Sequence, residues 1–258
     1  MKFRRNMFLE VSAEKISAIE FSKRVILNRV NNITCGNTYQ MDTPNIKDFV
    51  INIRNKNLYV LIEGETIYIK MVTLPLVKKH QINDLIKNEL RYYYKDIDHI
   101  SFTYKLIKKD KFNMEIMVFC LSGNNLNILE SCIDNNINLK KVNTIQFCVK
   151  SYYCNEINEE NYILGFYYNC ILYLLICHNN EIVANTIIRV VDLLLFKFSY
   201  AMNEFLDKYN DHAKLCKTIY YSNVEGLNIE EFQYPTLPVV ILRNLKRDDL
   251  VKYIIIKG

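Results

Sequence analysis

The chain is poor in glycine. Six glycines stand among 258 residues, one of them the terminal Gly258, and there is no Gly-Gly pair and no Gly-x-Gly. Loops that wrap phosphates use glycine where the backbone must approach an oxygen closely or take a positive φ. The dinucleotide-binding and P-loop signatures are therefore excluded, and no hydrolase or kinase motif stands in their place. Tryptophan is missing altogether. The eight cysteines, at 35, 120, 132, 148, 154, 170, 177 and 216, form no CxxC pair, which excludes zinc-ribbon, thioredoxin-like and iron–sulfur spacings. Cys170, Cys177 and His178 fall in an apolar run and read as core residues, not metal ligands. No apolar stretch approaches the ~20 residues of a membrane span. Met1 to Glu10 lacks the apolar core of a signal peptide, so free thiols in a reducing cytoplasm are expected.

Half of the residues are hydrophobic, which rules out a disordered chain and supplies a sizeable core. Charge is nearly balanced, 33 Lys+Arg against 28 Asp+Glu for a net +5. The local basic runs are Lys2–Arg5, Lys108–Lys111 and Arg243–Arg247, too short for a nucleic-acid tail. Their plain reading is solvated surface; an acidic partner or membrane headgroups are the alternative. The acidic pairs Glu159-Glu160, Glu230-Glu231 and Asp248-Asp249 likewise read as surface, and the four histidines suggest no triad.

Hydrophobic periodicity organises the chain. Phe8 to Phe21 predicts a strand, a turn at Ser12–Lys15 and a second strand, with Val25–Val30 as a third. Asn31–Pro44 reads as a loop, and Ile46, Phe49, Val50 and Ile53 as one helix face. Strands follow at 58–62 and 66–74, a helix at 78–95, a hairpin over 100–121, a helix stripe at Leu126, Leu129, Ile133 and Ile137, a strand at 139–143 and a helix at 144–153. A second strand–turn–strand–strand series runs from Ile163 to Arg189. After it come a long helix over 190–209, strands at 217–221 and 239–242, and a last strand at Ile254–Ile256. The strand, turn, strand, strand, helix series thus occurs twice, which suggests a duplicated α/β architecture.

Within this order, Thr73-Leu74-Pro75, then Ile86, Glu89 and Tyr93 on a helix, then a strand ending at Tyr104, resembles the PilM family of type IV pilus assembly proteins. Phe8 to Phe21 is similar to that family's opening strands, and Asn125 to Lys141 to its next helix step, with Asn135-Asn136 where a glycine is usual. The resemblance implies an α/β, actin-like (ribonuclease H-like) duplicated fold with an inserted strand-helix-strand-strand module and a shortened second half. Residues 1–64 plus 146–160 would form the first lobe, 65–145 the module and 161–258 the second, truncated lobe.

In that fold a nucleotide lies between the lobes, held by two acidic, glycine-bearing hairpin turns and a Gly-Gly turn. The resemblance maps these to Glu10, Ser12 and Lys15; to Gly165 and its neighbours through Asn169; and to Asn223 and Gly226. Each position departs from the pattern, and one subdomain that would wall the adenosine pocket is missing. The expectation is a cleft that has lost its nucleotide: no catalytic residue, no metal and no cofactor. By the same resemblance the chain is a non-enzymatic cytoplasmic scaffold at the inner face of the membrane. It would bind the cytoplasmic tail of a PilN-like membrane protein, link it to a pilus motor ATPase or platform protein, and touch the membrane only through partners. Tyr92, Tyr93 and Tyr94 are candidate partner contacts. Two alternatives stand beside this. One is a divergent ATPase with Lys15 on a phosphate and Asp192 or Glu10 on Mg²⁺; the other is a GspL-like cytoplasmic domain of a type II secretion system.

Overall fold

The structure is a computed structural model. It describes residues 5–12, 15–26, 29–41, 56–94, 97, 100–122, 138–192, 196–225 and 237–256, with the backbone alone at 23–26, 29–35, 37, 41 and 122. In chain order the described elements begin with β1 (Arg5–Val11), β2 (Ile16–Ile26), β3 (Arg29–Met41), β4 (Lys56–Ile62), β5 (Ile67–Pro75) and α1 (Lys79–Arg91). They continue with β6 (Ile100–Lys109), β7 (Asn113–Ser122), β8 (Asn138–Thr144), α2 (Ile145–Tyr152), β9 (Tyr162–Tyr168), β10 (Ile171–His178) and β11 (Glu181–Arg189). The last are α3 (Phe198–Lys208), α4 (Asn210–Ala213), β12 (Ile219–Ser222), β13 (Val239–Ile241) and α5 (Arg247–Ile256). The expected helix at Ile46–Ile53, the helix stripe from Leu126 to Ile137 and Gly226 lie outside the described residues.

Two five-stranded sheets share one wiring. The first has the order β3-β2-β1-β4-β8 and the second β11-β10-β9-β12-β13. In each, an antiparallel meander is followed by two strands running parallel on the other side of the first strand. The duplication read from the sequence is real at this level. The module inserted after β4 is β5-α1-β6-β7, a three-stranded antiparallel sheet of order β5-β7-β6 with α1 on one face.

Side-chain alternation explains the layering. Along β1, Met7, Leu9 and Val11 point to one face, where Ile67, Met117, Phe119 and Leu121 of the module pack on them. Phe8 points the other way. It joins a core that includes α2 (Ile145, Cys148, Val149), α5 (Leu250, Val251, Ile254, Ile255) and the second sheet (Leu164, Phe166, Tyr173, Leu175). The two helices therefore fill an apolar layer common to both sheets, and the Tyr253 hydroxyl donates to the Ser151 carbonyl at 2.8 Å. Burying a side chain such as Phe8 contributes roughly 1.5–3 kcal/mol. The far face of the second sheet is covered by α3 through Phe198, Met202, Phe205 and Leu206.

Several sequence expectations are corrected. Residues 31–41, read as loop, belong to β3. This strand lies at the sheet edge, where pairing on one side suffices, and its register shifts between the Ile19 and Phe21 pairings, opposite Gly36 and Asn37. Ile254–Ile256 is helical: Leu250, Val251, Ile254 and Ile255 make one buried face, and Asp248 and Asp249 occupy the favourable first turn. The long helix expected from Val190 begins at Phe198. Strand β8 pairs with β4 in the first lobe's sheet, so residues 138–144 leave the module.

Candidate functional site

Of the residues singled out in the sequence, the cleft between the lobes collects Glu10, Ser12, Lys15 and Asn169. Its first turn joins β1 to β2, and the side chain of Ser12 closes it. The Ser12 N–H donates to the Lys15 carbonyl at 2.9 Å and the Lys15 N–H to Ser12 Oγ at 3.1 Å. The second turn joins β9 to β10 at Asn169 and Cys170, both at positive φ (47° and 60°). Gly165 does not belong to it. Gly165 sits inside β9, and a Cβ there would lie 2.8 Å from the Tyr221 ring. That glycine makes room for an aromatic side chain, not for a phosphate. The third turn follows β12, and Asn223 takes its left-handed conformation (φ 55°), tolerated by asparagine better than by most residues. The Asn223 side chain accepts from the Leu245 N–H at 2.6 Å and donates to the Leu245 carbonyl at 2.9 Å. It thereby holds the segment that leads into α5.

That segment delivers Arg247, and Arg247 enters the cleft. Glu10 is 5% exposed and both its carboxylate oxygens are taken by protein donors. The Tyr168 hydroxyl donates to Oε1 at 2.7 Å. Arg247 Nε donates to Oε2 at 2.7 Å, joined by Arg247 Nη2 and, at 3.4 Å, the Ser17 hydroxyl. Burial pulls the Arg247 guanidinium down, but the hydrogen bond and charge of Glu10 more than offset this and leave it raised. The sequence places Arg247 in a solvated basic run; more than half-buried against Glu10, it is instead a structural charge.

Glu63, at the end of β4, is 2% exposed. It accepts from Asn169 Nδ2 at 2.8 Å. Burial, and next the charge of Glu10, push its carboxyl up to about 8, so it holds a proton at neutral pH; Asn169, Arg247 and Lys15 only partly offset this. Beside it the Gly64 N–H donates to the Tyr173 hydroxyl at 2.9 Å. Two adjoining spaces remain. One of about 120 Å³ is lined by Glu10, Ser12, Lys15, Ser17, Glu63, Asn169 and Arg247. The other, about 450 Å³, runs outward past Lys15, Gly64, Cys170 and Arg189. Asp192 lies on the exposed stretch after β11. Among the described residues no group of three metal-binding side chains comes together. Sequence reasoning missed Glu63, Tyr168 and Arg247. An acid directly before a strand-ending glycine was the one visible signal.

The tyrosine run closes α1. Tyr94 packs edge-to-face on Tyr68 and Tyr93 lies tilted beside it, with ring centroids 5.7 and 6.4 Å away, and Lys70 Nζ lies 3.2 Å over the Tyr93 ring. Tyr92, 85% exposed, is the one of the three that points fully into solvent.

A second cleft lies between the module and the first lobe. It encloses about 480 Å³ and is lined by Phe102 and Tyr104 of β6, Phe119 of β7, Val142, Asn143 and Thr144 of β8, and Phe147 of α2. Strands β6 and β8 are each the last strand of their sheets, so two sheet edges border it among the described residues. Asn143 Nδ2 and Thr144 Oγ1 are buried there without a hydrogen-bond partner among the described residues.

Two sheets of matching order around an interlobe cleft define the class: the chain has the actin-like ATPase fold. It is similar along nearly its whole length to a Bacteroides thetaiotaomicron protein with an actin-like ATPase fold and unknown function (TM-score 0.54, 10% identity, 96% of each chain). It is equally similar to the PilM–PilN type IV pilus biogenesis complex (TM-score 0.53, 9% identity, 96% of this chain and 94% of that one). The cytoplasmic domain of EpsL, an inner membrane component of the Vibrio cholerae type II secretion system, also matches (TM-score 0.50, 10% identity, 98% and 95%). No protein-family profile and no curated protein matches the chain. Among the described residues no helix is long and apolar enough to cross a membrane.

Proposed function

We propose that the chain is a non-enzymatic scaffold of the type IV pilus assembly machinery, one that binds the cytoplasmic tail of a PilN-like membrane protein. The observation that carries this is the cleft between module and first lobe. Among the described residues, two sheet edges offer backbone groups to an extended peptide, aromatic side chains line the walls, and the Asn143 amide and Thr144 hydroxyl lack partners. Strand addition at such an edge is a general mode of peptide capture, and buried polar groups without partners call for one. The absence of nucleotide chemistry is part of the proposal. It is supported by the interlobe cleft, where Arg247 neutralises Glu10 in the space between the first two turns.

The test is fluorescence anisotropy with a labelled PilN-like tail peptide, alongside thermal shift with Mg-ATP. Binding that is lost on Thr103→Pro, which blocks the β6 edge, and no shift with Mg-ATP are expected. Stabilisation by Mg-ATP with turnover would sink the scaffold reading. The likeness to the EpsL domain favours a second reading, the same role in a type II secretion system. Tail peptides from the two kinds of machine separate the readings.

A further inference from the structure

We propose that the far end of the inserted module docks directly on an anionic membrane surface. This goes beyond the scaffold reading, which needs contact with the membrane only through a partner.

Two turns meet at that end. Strand β5 stops at Pro75, opposite Asn113, and the Leu76 N–H donates to the Phe112 carbonyl at 2.8 Å. The β5–α1 connection and the β6–β7 turn are thus held side by side. The opposite end of the sheet, at Ile67 and Leu121, packs on the first lobe. Contact with the lobe extends along the sheet as far as Met117, opposite Met71, which leaves four residues of strand, about 13 Å at ~3.3 Å per residue, between it and the turns. The paired turns therefore project beyond that contact.

Their composition is specific. The segments 75–80 and 108–112 together carry five lysines, Lys78, Lys79, Lys108, Lys109 and Lys111, against one acid, Asp110, and all five are exposed. Asp110 spends its carboxylate on the turn, accepting from the Phe112 and Asn113 N–H groups at 2.8 and 2.7 Å. That arrangement lifts Phe112 to the turn tip, where it is 77% exposed, with Leu76 at 42% and Ile107 at 44% beside it. Glu115 faces Lys108 across the hairpin, and Lys105 is committed to Glu181 at 2.6 Å. The five tip lysines thus surround an apolar wedge.

This pattern matches a bilayer interface. Lysines near an anionic leaflet are attracted individually, while an aromatic side chain enters the headgroup and acyl boundary. A protein partner would need about 800 Å² of matching surface on this side, which two projecting turns do not present. An acidic protein is instead an outcome of the test.

The absence of tryptophan provides the reporter. Phe112→Trp places a single indole at the tip of the full chain. With vesicles of phosphatidylcholine containing phosphatidylglycerol, we expect a blue-shifted emission that brominated lipids quench, and co-sedimentation that weakens with salt. At about fivefold for each lysine removed, Lys108→Gln/Lys109→Gln/Lys111→Gln should weaken that binding roughly hundredfold, with an unchanged far-UV spectrum. Phe112→Ser should weaken it without changing the salt dependence. Equal binding to phosphatidylcholine alone, or binding indifferent to the lysines, overturns the proposal. So does an indole that shifts with polyglutamate but not with anionic vesicles, which would assign the tip to an acidic protein. None of these readouts involves the tail peptide, so failure here and failure of the scaffold reading are distinguishable.

Discussion

Glu63→Gln should remove most of a pH dependence that the wild-type protein carries. In the folded chain the Glu63 carboxyl is raised from an ordinary 4.5 to about 8, first by burial and then by the charge of Glu10. The folded state therefore holds this proton more tightly than the unfolded chain does. Stability is full below the unfolded value of 4.5 and falls as pH rises through about 8. Each tenfold difference in proton affinity is worth about 1.4 kcal/mol, so the loss from pH 4 to pH 9 amounts to roughly 4–5 kcal/mol. That is a large part of the ~5–15 kcal/mol that stabilises a domain. Glutamine keeps the shape and the oxygen that accepts from Asn169, but it cannot ionise. Urea unfolding of both proteins at steps between pH 5 and pH 9 isolates Glu63 in the difference between the two curves. Other carboxylates titrate in both proteins and cancel. The variant should be the more stable at pH 8.5, with the denaturant slope unchanged. Parallel curves for the two proteins would refute the reasoning, since they would mean that Glu63 ionises freely in the folded state.

Arg247→Met leaves Glu10 buried without its cation and should destabilise the fold by about 3–5 kcal/mol; adding Glu10→Gln should recover most of that loss, as denaturant midpoints of the single and double variants will show. Gly165→Ala drives a methyl to 2.8 Å from the buried Tyr221 ring and should cost about 1–3 kcal/mol, read as a lowered melting temperature. A neutral result would mean that the ring moves freely.

The duplicated strand series was legible because each meander is a set of short apolar runs, nearly continuous in β9 and β10, separated by clear turns. The module was legible as well: Ile82, Ile86 and Leu90 recur at helical spacing, and all three are buried on α1. Local pattern misled where long-range pairing decides. The stretch of β3 that carries Asn31, Asn32, Gly36 and Asn37 has poor strand propensity, yet an edge strand is made by the backbone of its neighbour. Three consecutive isoleucines favour a strand locally, but packing on α2 and on both sheets makes them the last turn of α5.

The cleft shows the same division more sharply. The sequence by itself determined that glycine is scarce and that the phosphate-turn positions of the resembled family carry Ser12, Asn169 and Asn223 in its place, with Glu10 where that family has an aspartate. Those identities alone describe a loss. Only the tertiary structure decided what the substitutes do: Asn223 ties down the approach to α5, α5 brings Arg247 to Glu10, and Asn169 meets a protonated Glu63. The partners lie as far apart in the chain as Glu10 and Arg247, and no spacing rule links them. Ser12, Asn169 and Asn223 follow β1, β9 and β12 directly, so pattern could find them; Arg247 reaches Glu10 only because an apolar face buries α5 between the sheets.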